Sequence, residues 1–331
     1  MLGVVIAVGF IEPARVILRQ ADLRPDVMPV AKAGGYARDT ELRLLQSSLY
    51  GRFVEADGFE RVGSRTIGAG FLSGKADIEQ VTYRVTFGQV FRDYDAIILR
   101  PTGAPDAPMI VSQNFSPNAA VITVDGVSPV NSDAPMWDGG MLTPVFTFFF
   151  GRHIVVPPLE AIIDRGYGFT AIYPSDVLPD RARTALPLLD EFYPNDPNRP
   201  GALAVWAALS TAIASDLKAT HPKAPIIAYG HSRYGKTALI AGALSDDIDA
   251  VIAHQSGTAG ASRLRDALGE SVAQVVEAYP HWLSPSAAEY TADSRALPVD
   301  SDALLAAIAP KPVLLGNARR DVWSDPDGAF W

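Results

Sequence analysis

From Val81 onward, short apolar, β-branched runs alternate with stretches of helical periodicity. Val81–Phe87, Ala96–Arg100, Met109–Gln113, Gly168–Tyr173, Pro225–Tyr229, Ala250–Ala253 and Pro312–Gly316 read as strands. Pro158–Arg165, Gly201–Ala219, Lys236–Leu244, Ala261–Ala278 and Ser301–Ile308 read as helices. Strands that are apolar on both sides must be covered on both sides. The pattern therefore predicts an α/β fold, a mostly parallel central sheet with helices on both faces in a three-layer sandwich. Asp125–Leu142 and Asp176–Pro200 are rich in Pro, Asp and Asn and read as loops rimming a site. Asp39–Leu49 is periodic and ends at Tyr50-Gly51. The expected organisation is a lead-in over residues 1–55 and one α/β domain over 56–331.

The chain opens on 11 apolar residues, Met1–Ile11, closed by Glu12-Pro13. That run is short of the ~20 residues that span a bilayer. It also lacks the basic start and small-residue cleavage site of a signal peptide. Two readings stay open: the trailing half of an anchor or signal that begins upstream, and a buried strand or helix start. Membrane contact is expected only with such an upstream anchor.

Composition narrows the chemistry. Of 331 residues 48% are hydrophobic and 20% charged, enough apolar material for a large core. Twenty-eight basic against 37 acidic residues give a net charge of -9, which argues against a nucleic-acid partner. The absence of cysteine removes thiolate nucleophiles, disulfides and cysteine-based zinc sites. The five histidines, at 153, 221, 231, 254 and 281, form no HxH or HExxH pair, so neither metal nor cofactor is expected. A monomer is expected.

The most informative segment runs from the apolar strand Pro225–Tyr229 through Gly230-His231-Ser232-Arg233-Tyr234-Gly235-Lys236-Thr237 into a helix. A serine on so sharp a strand–turn–helix junction stands above the sheet edge. The free N–H groups of the helix start can then stabilise an oxyanion. This is the nucleophile elbow of the α/β-hydrolase fold. The same letters match GxxxxGK[ST], the phosphate-binding P-loop. Against that rival, the loop follows several strands instead of opening the fold, and no strand ending in a magnesium-holding Asp follows clearly. A third reading makes Ser232 no more than a helix cap.

A hydrolase triad needs an acid on the loop after a later strand, and Asp321 has that place. The histidine is harder to find. Ten residues follow Asp321 and none is histidine. His231 adjoins the nucleophile, His254 follows the next strand, and His281 precedes the acid. The expected catalytic histidine, with the last strand and helix, belongs to chain beyond residue 331.

Residues 40–331 resemble the glucuronoyl esterases, family 15 of the carbohydrate esterases, and their bacterial branch in particular. The resemblance rests on Tyr50-Gly51-Arg52, GHSRYGKTA from Gly230, HQSGTAGA at 254–261, Gly269-Glu270, Pro280-His281-Trp282, LPVD at 297–300, IAPKPV at 308–313 and DVWSDPDGAF at 321–330. It implies Ser232 as nucleophile, Arg233 as a stabiliser of the oxyanion, and Lys236, Glu270 and Trp323 as sugar contacts. It also implies cleavage of the ester between a glucuronic acid carboxyl and an alcohol, as in lignin–carbohydrate esters. Two departures stand out. Gln255 occupies the place where some members carry a triad glutamate, so Asp321 must serve. Asp302 stands where relatives often carry a histidine.

The expected function is thus a serine carboxylester hydrolase, a 4-O-methyl-glucuronoyl methylesterase, acting through an acyl-enzyme on a small-molecule or polysaccharide uronate ester. Its place of action would be secreted or periplasmic. The alternatives are an acetylxylan or aryl esterase of the same fold, an inactive carbohydrate-binding relative and, more remotely, a P-loop nucleotide binder.

Overall fold

Among the described residues eight strands form one sheet in the order β1-β2-β3-β5-β4-β6-β7-β8. The structure is a computed structural model and describes residues 35–54, 58–68, 70–128 and 156–330. The strands are β1 (Glu60–Ile67), β2 (Ala76–Phe87), β3 (Val90–Pro101), β4 (Met109–Gln113), β5 (Gly168–Ile172), β6 (Ile226–His231), β7 (Ala250–His254) and β8 (Val313–Gly316). β1 to β3 form an antiparallel meander that joins β5 antiparallel, and β5, β4, β6, β7 and β8 run parallel. The parallel strands are short, and their ends stand level. His231 of β6 pairs with His254 of β7, and His254 with Gly316 of β8. Three chain segments therefore leave the sheet side by side at its carboxyl edge, where open α/β sheets place ligands.

Nine α-helices dress this sheet among the described residues: α1 (Arg38–Leu45), α2 (Asn118–Val121), α3 (Leu159–Asp164), α4 (Ala182–Phe192), α5 (Ala202–Thr220), α6 (Arg233–Leu244), α7 (Val272–Ala278), α8 (Ser301–Ile308) and α9 (Pro326–Phe330). The two-residue period of the strands sorts the core. On β3, Ala96 and Ile98 join the larger core with α1, α4, α5, α6 and α8, while Ile97 and Leu99 join the smaller one with α2 and α3. Residues on both faces are buried, as the sequence pattern predicts. α5 is apolar enough in length and composition to cross a membrane, but it lies inside the fold and buries Trp206 completely.

Three readings of the sequence need correction. Asp176–Pro200 is not loop throughout, because α4 occupies its centre and buries Ala185, Leu189 and Phe192. Those residues follow helical spacing, but Pro187 within the helix and the polar flanks masked it. Ala261–Ala278 is helical only over α7, where Ser271 and Gln274 form a capping box. Before it, Asp266 adopts a left-handed conformation at φ 55°. β1 was not anticipated, since Glu60–Thr66 is exposed and carries little apolar signal. Met1–Ile11 and most of Asp125–Leu142 lie outside the described residues.

Candidate active site

Ser232 sits between β6 and α6 with φ 56° and ψ -125°, a conformation that L-residues rarely adopt. Such strain costs of order 1–3 kcal/mol and persists only where the surroundings enforce it. The Ser232 N–H donates to the carbonyl of His254 at 2.8 Å, tying the turn to β7. Its own carbonyl accepts from the N–H of Gly235 and Lys236, the first turn of α6. Gly230 makes the tightness possible: a Cβ there would lie 1.9 Å from the Tyr234 carbonyl oxygen. The hydroxyl thus stands at a helix N-terminus above the carboxyl edge of the sheet.

Asp321 lies beyond β8 on the same edge. Its carboxylate accepts from Gln255 Nε2 at 2.5 Å and from Ser324 Oγ at 2.8 Å. Gln255 follows β7 directly, with φ 48°, and its Oε1 faces His231 Nε2 at 3.2 Å. The network therefore assigns the proton of His231 to Nε2. Burial lowers the His231 pKa, which favours the neutral ring. A chain of side chains thus runs from Asp321 through Gln255 to the residue beside Ser232.

Arg233 lies against two aromatic rings. Its guanidinium carbon is 5.0 Å from the centre of the Phe115 ring and 5.3 Å from that of Trp282. Trp282 in turn stacks on Tyr279 at 3.8 Å. One terminal nitrogen of Arg233 is bound to the Asp180 carboxylate. Asp180 also accepts from His281 Nε2 at 2.9 Å and from the Trp282 indole at 2.7 Å. Burial alone would raise the Asp180 pKa. The bond from His281, the charge of Arg233 and the bond from Trp282 outweigh it and hold the carboxyl below its ordinary value. Asp180, Phe115 and their part in the site had no signal in the sequence beyond an acid and an aromatic in loops.

Lys236, Glu270 and Trp323 come together behind this stack. Lys236 is one helical turn after Ser232, and its Nζ donates to the carbonyls of Ser256 at 2.5 Å and Thr258 at 2.6 Å. The Glu270 N–H donates to the Trp323 carbonyl at 3.0 Å, and Thr258 Oγ1 donates to the Glu270 carbonyl. Trp323 is half-buried. Sugar contacts call for access from solvent, but Lys236 and Glu270 are only 3% and 4% exposed, because the loops after β7 and β8 close over them. Burial pulls the Lys236 pKa down to about 8. Burial also raises that of Glu270, against the opposing charges of Lys236 and Arg233.

This geometry also disposes of the P-loop alternative. A phosphate-binding lysine must reach outward over the loop, whereas Lys236 turns in to two carbonyls. Thr237, which would hold magnesium, donates to Gln113 Oε1 at 2.6 Å and is fully buried. Among the described residues no group of three or more His, Asp or Glu side chains could hold a metal ion. A cavity of about 430 Å³ lined by Arg263, Arg265, Asp300 and Phe330 includes none of the residues above.

The chain is similar to known esterases. The family model described as glucuronyl esterase, fungi, matches residues 191–330, which include Ser232, Glu270 and Asp321. The carbohydrate esterase MZ0003, from an unknown prokaryotic organism, is 35% identical over 181 residues, which are 52% of this chain. The match spans 41% of that relative's length. A promiscuous CE15 esterase from the marine bacterial metagenome superposes with a TM-score of 0.76 at 23% identity, covering 94% of this chain and 84% of its own. A glucuronoyl esterase from Solibacter usitatus superposes with a TM-score of 0.71 at 25% identity, covering 88% and 76%. The fold is that of the α/β-hydrolases, and residues 191–330 are similar to the glucuronyl esterases.

Proposed function

We propose that the protein hydrolyses uronate esters through an acyl-enzyme on Ser232. The observation that carries this is the strained Ser232 turn at the start of α6, with Arg233 fixed beside it and Lys236 and Glu270 behind. The Ser232 hydroxyl attacks the ester carbonyl and gives its proton to an imidazole base. Arg233 and the N–H groups of the turn hold the oxyanion, whose collapse expels the alcohol with that proton. Water then releases the uronic acid by the same steps in reverse. Asp321 orients the base and stabilises it as imidazolium. His231 and His281 are engaged by Gln255 and Asp180, so neither is the free imidazole that this step needs.

The substrate class rests on the likeness to the glucuronyl esterases over residues 191–330. The resemblance sets Lys236, Glu270 and the half-buried Trp323 at sugar-contacting positions. A 4-O-methyl-glucuronoyl ester on a wall polysaccharide is the proposed substrate. Such a polymer lies outside the cell, which points to a secreted or periplasmic enzyme. The test compares hydrolysis of benzyl glucuronate and of acetylated xylan by the full-length protein and its Ser232→Ala variant. Uronate cleavage lost in the variant supports the proposal. Release of acetate alone would convert it to an acetylxylan esterase.

A further inference from the structure

We infer that Asp180 is a positioning residue that fixes the Arg233 guanidinium in the orientation its oxyanion role requires. The inference rests on the esterase reading above and adds a residue that lies 53 positions before Arg233, in the loop leading into α4.

An arginine side chain has many rotamers, so a useful oxyanion donor must be held before substrate arrives. Two aromatic rings already lie against Arg233, with Phe115 and Trp282 centred 5.0 and 5.3 Å from its guanidinium carbon. Ring contacts of this kind do not fix the direction of the N–H donors. Asp180 removes that freedom by binding one terminal nitrogen. The Arg233 Nε is buried with no hydrogen-bond partner, so the ion pair to Asp180 is what locks the fork. The second terminal nitrogen carries no protein hydrogen bond among those described and is the donor left for a ligand.

Asp180 is itself held rigidly. Its side chain is 11% exposed and takes further bonds from His281 Nε2 and the Trp282 indole. The loop behind it is pinned where the Trp206 indole donates to the Leu178 carbonyl at 2.9 Å, with Val177 and Leu178 fully buried. The His281-Trp282 segment is fixed in turn by the start of α5, whose Ala202 and Leu203 N–H groups donate to the carbonyls of His281 and Trp282. A single carboxylate thus gathers the arginine, one of the rings against it and His281. A neutral amide at this position keeps the shape but loses the charge-assisted bond to Arg233.

The experiment uses the full-length protein with Asp180→Asn, Asp180→Glu, Arg233→Gln and the double variant that combines D180N with R233Q. Steady-state constants are measured on benzyl glucuronate and on p-nitrophenyl acetate, since an oxyanion is common to both esters. D180N is expected to lower kcat by about 10- to 100-fold on both esters, with KM changed less than about threefold. Adding D180N to R233Q should cost less than about threefold more, because the charge has nothing left to orient. D180E should recover part of the loss. Unchanged kcat in D180N, or losses that multiply in the double variant, would overturn the role of Asp180 and leave the esterase reading intact. Turnover of the aryl ester without the uronate ester would sink the substrate reading, while D180N still decides the role of Asp180. No turnover of either ester by the parent protein would overturn both.

Discussion

Gln255 donates to the carboxylate of Asp321 at 2.5 Å, so the residue that follows β7 holds the acid proposed for the triad. An amide cannot stabilise an imidazolium by charge, but it can hold a carboxylate that would. Asp321→Asn in the full-length protein should therefore lower kcat by about 10³- to 10⁴-fold, as loss of a triad acid does. Gln255→Ala should cost less than about tenfold. Steady-state assays on benzyl glucuronate decide it, and equal losses in the two variants would contradict the assignment.

Gln255→Glu tests the same contact from the other side. Two carboxylates at hydrogen-bond distance cannot both be ionised cheaply, so they would share a proton and titrate as a pair. The acidic limb of the kcat/KM profile should move to higher pH than in the parent. A superimposable profile would mean that the two groups separate in solution.

Ser232→Gly should raise stability while abolishing turnover. Glycine tolerates φ 56°, so the strain of order 1–3 kcal/mol is relieved, less about 0.5–1 kcal/mol for the entropy that glycine loses on folding. A net gain of about 1 kcal/mol in urea unfolding is expected. A loss of stability would show that the turn is not strained.

Lys236 gives a pH dependence whose sign can be worked out. In the unfolded chain its pKa is about 10.4, and burial brings the folded value down to about 8. Between these values the unfolded state holds more protons, so stability rises with pH. Below about 8 both states are protonated and the full cost of the buried cation is present. Urea unfolding of the parent minus that of Lys236→Met should show a difference that grows in the parent's favour by about 2–3 kcal/mol from pH 7 to pH 10. A flat difference would place the lysine in water.

Gly230→Ala should cost at least about 3 kcal/mol, because the added methyl would lie 1.9 Å from the Tyr234 carbonyl oxygen. Loss of soluble protein or a fall in Tm beyond about 4 °C is the expected readout. A stable, active variant would require the turn to be looser than it is here.

The sequence by itself determined what depends on neighbours along the chain. Apolar β-branched runs located β4 with its observed ends, and helical spacing located α8, because period and burial are local. The strand–turn–helix at Ser232 was legible for the same reason: Gly230, Ser232 and the helix start lie within a few residues of one another. Tertiary structure decided the rest. α4 was hidden because its burial, not its composition, offsets the cost of Pro187. Lys236 and Glu270 could be paired by resemblance, but their closure from solvent depends on loops after β7 and β8. Asp180 has no local pattern at all. It meets Arg233, His281 and Trp282 only because separate loops converge above the carboxyl edge of one sheet, and a contact between residues so far apart in sequence leaves no periodic trace.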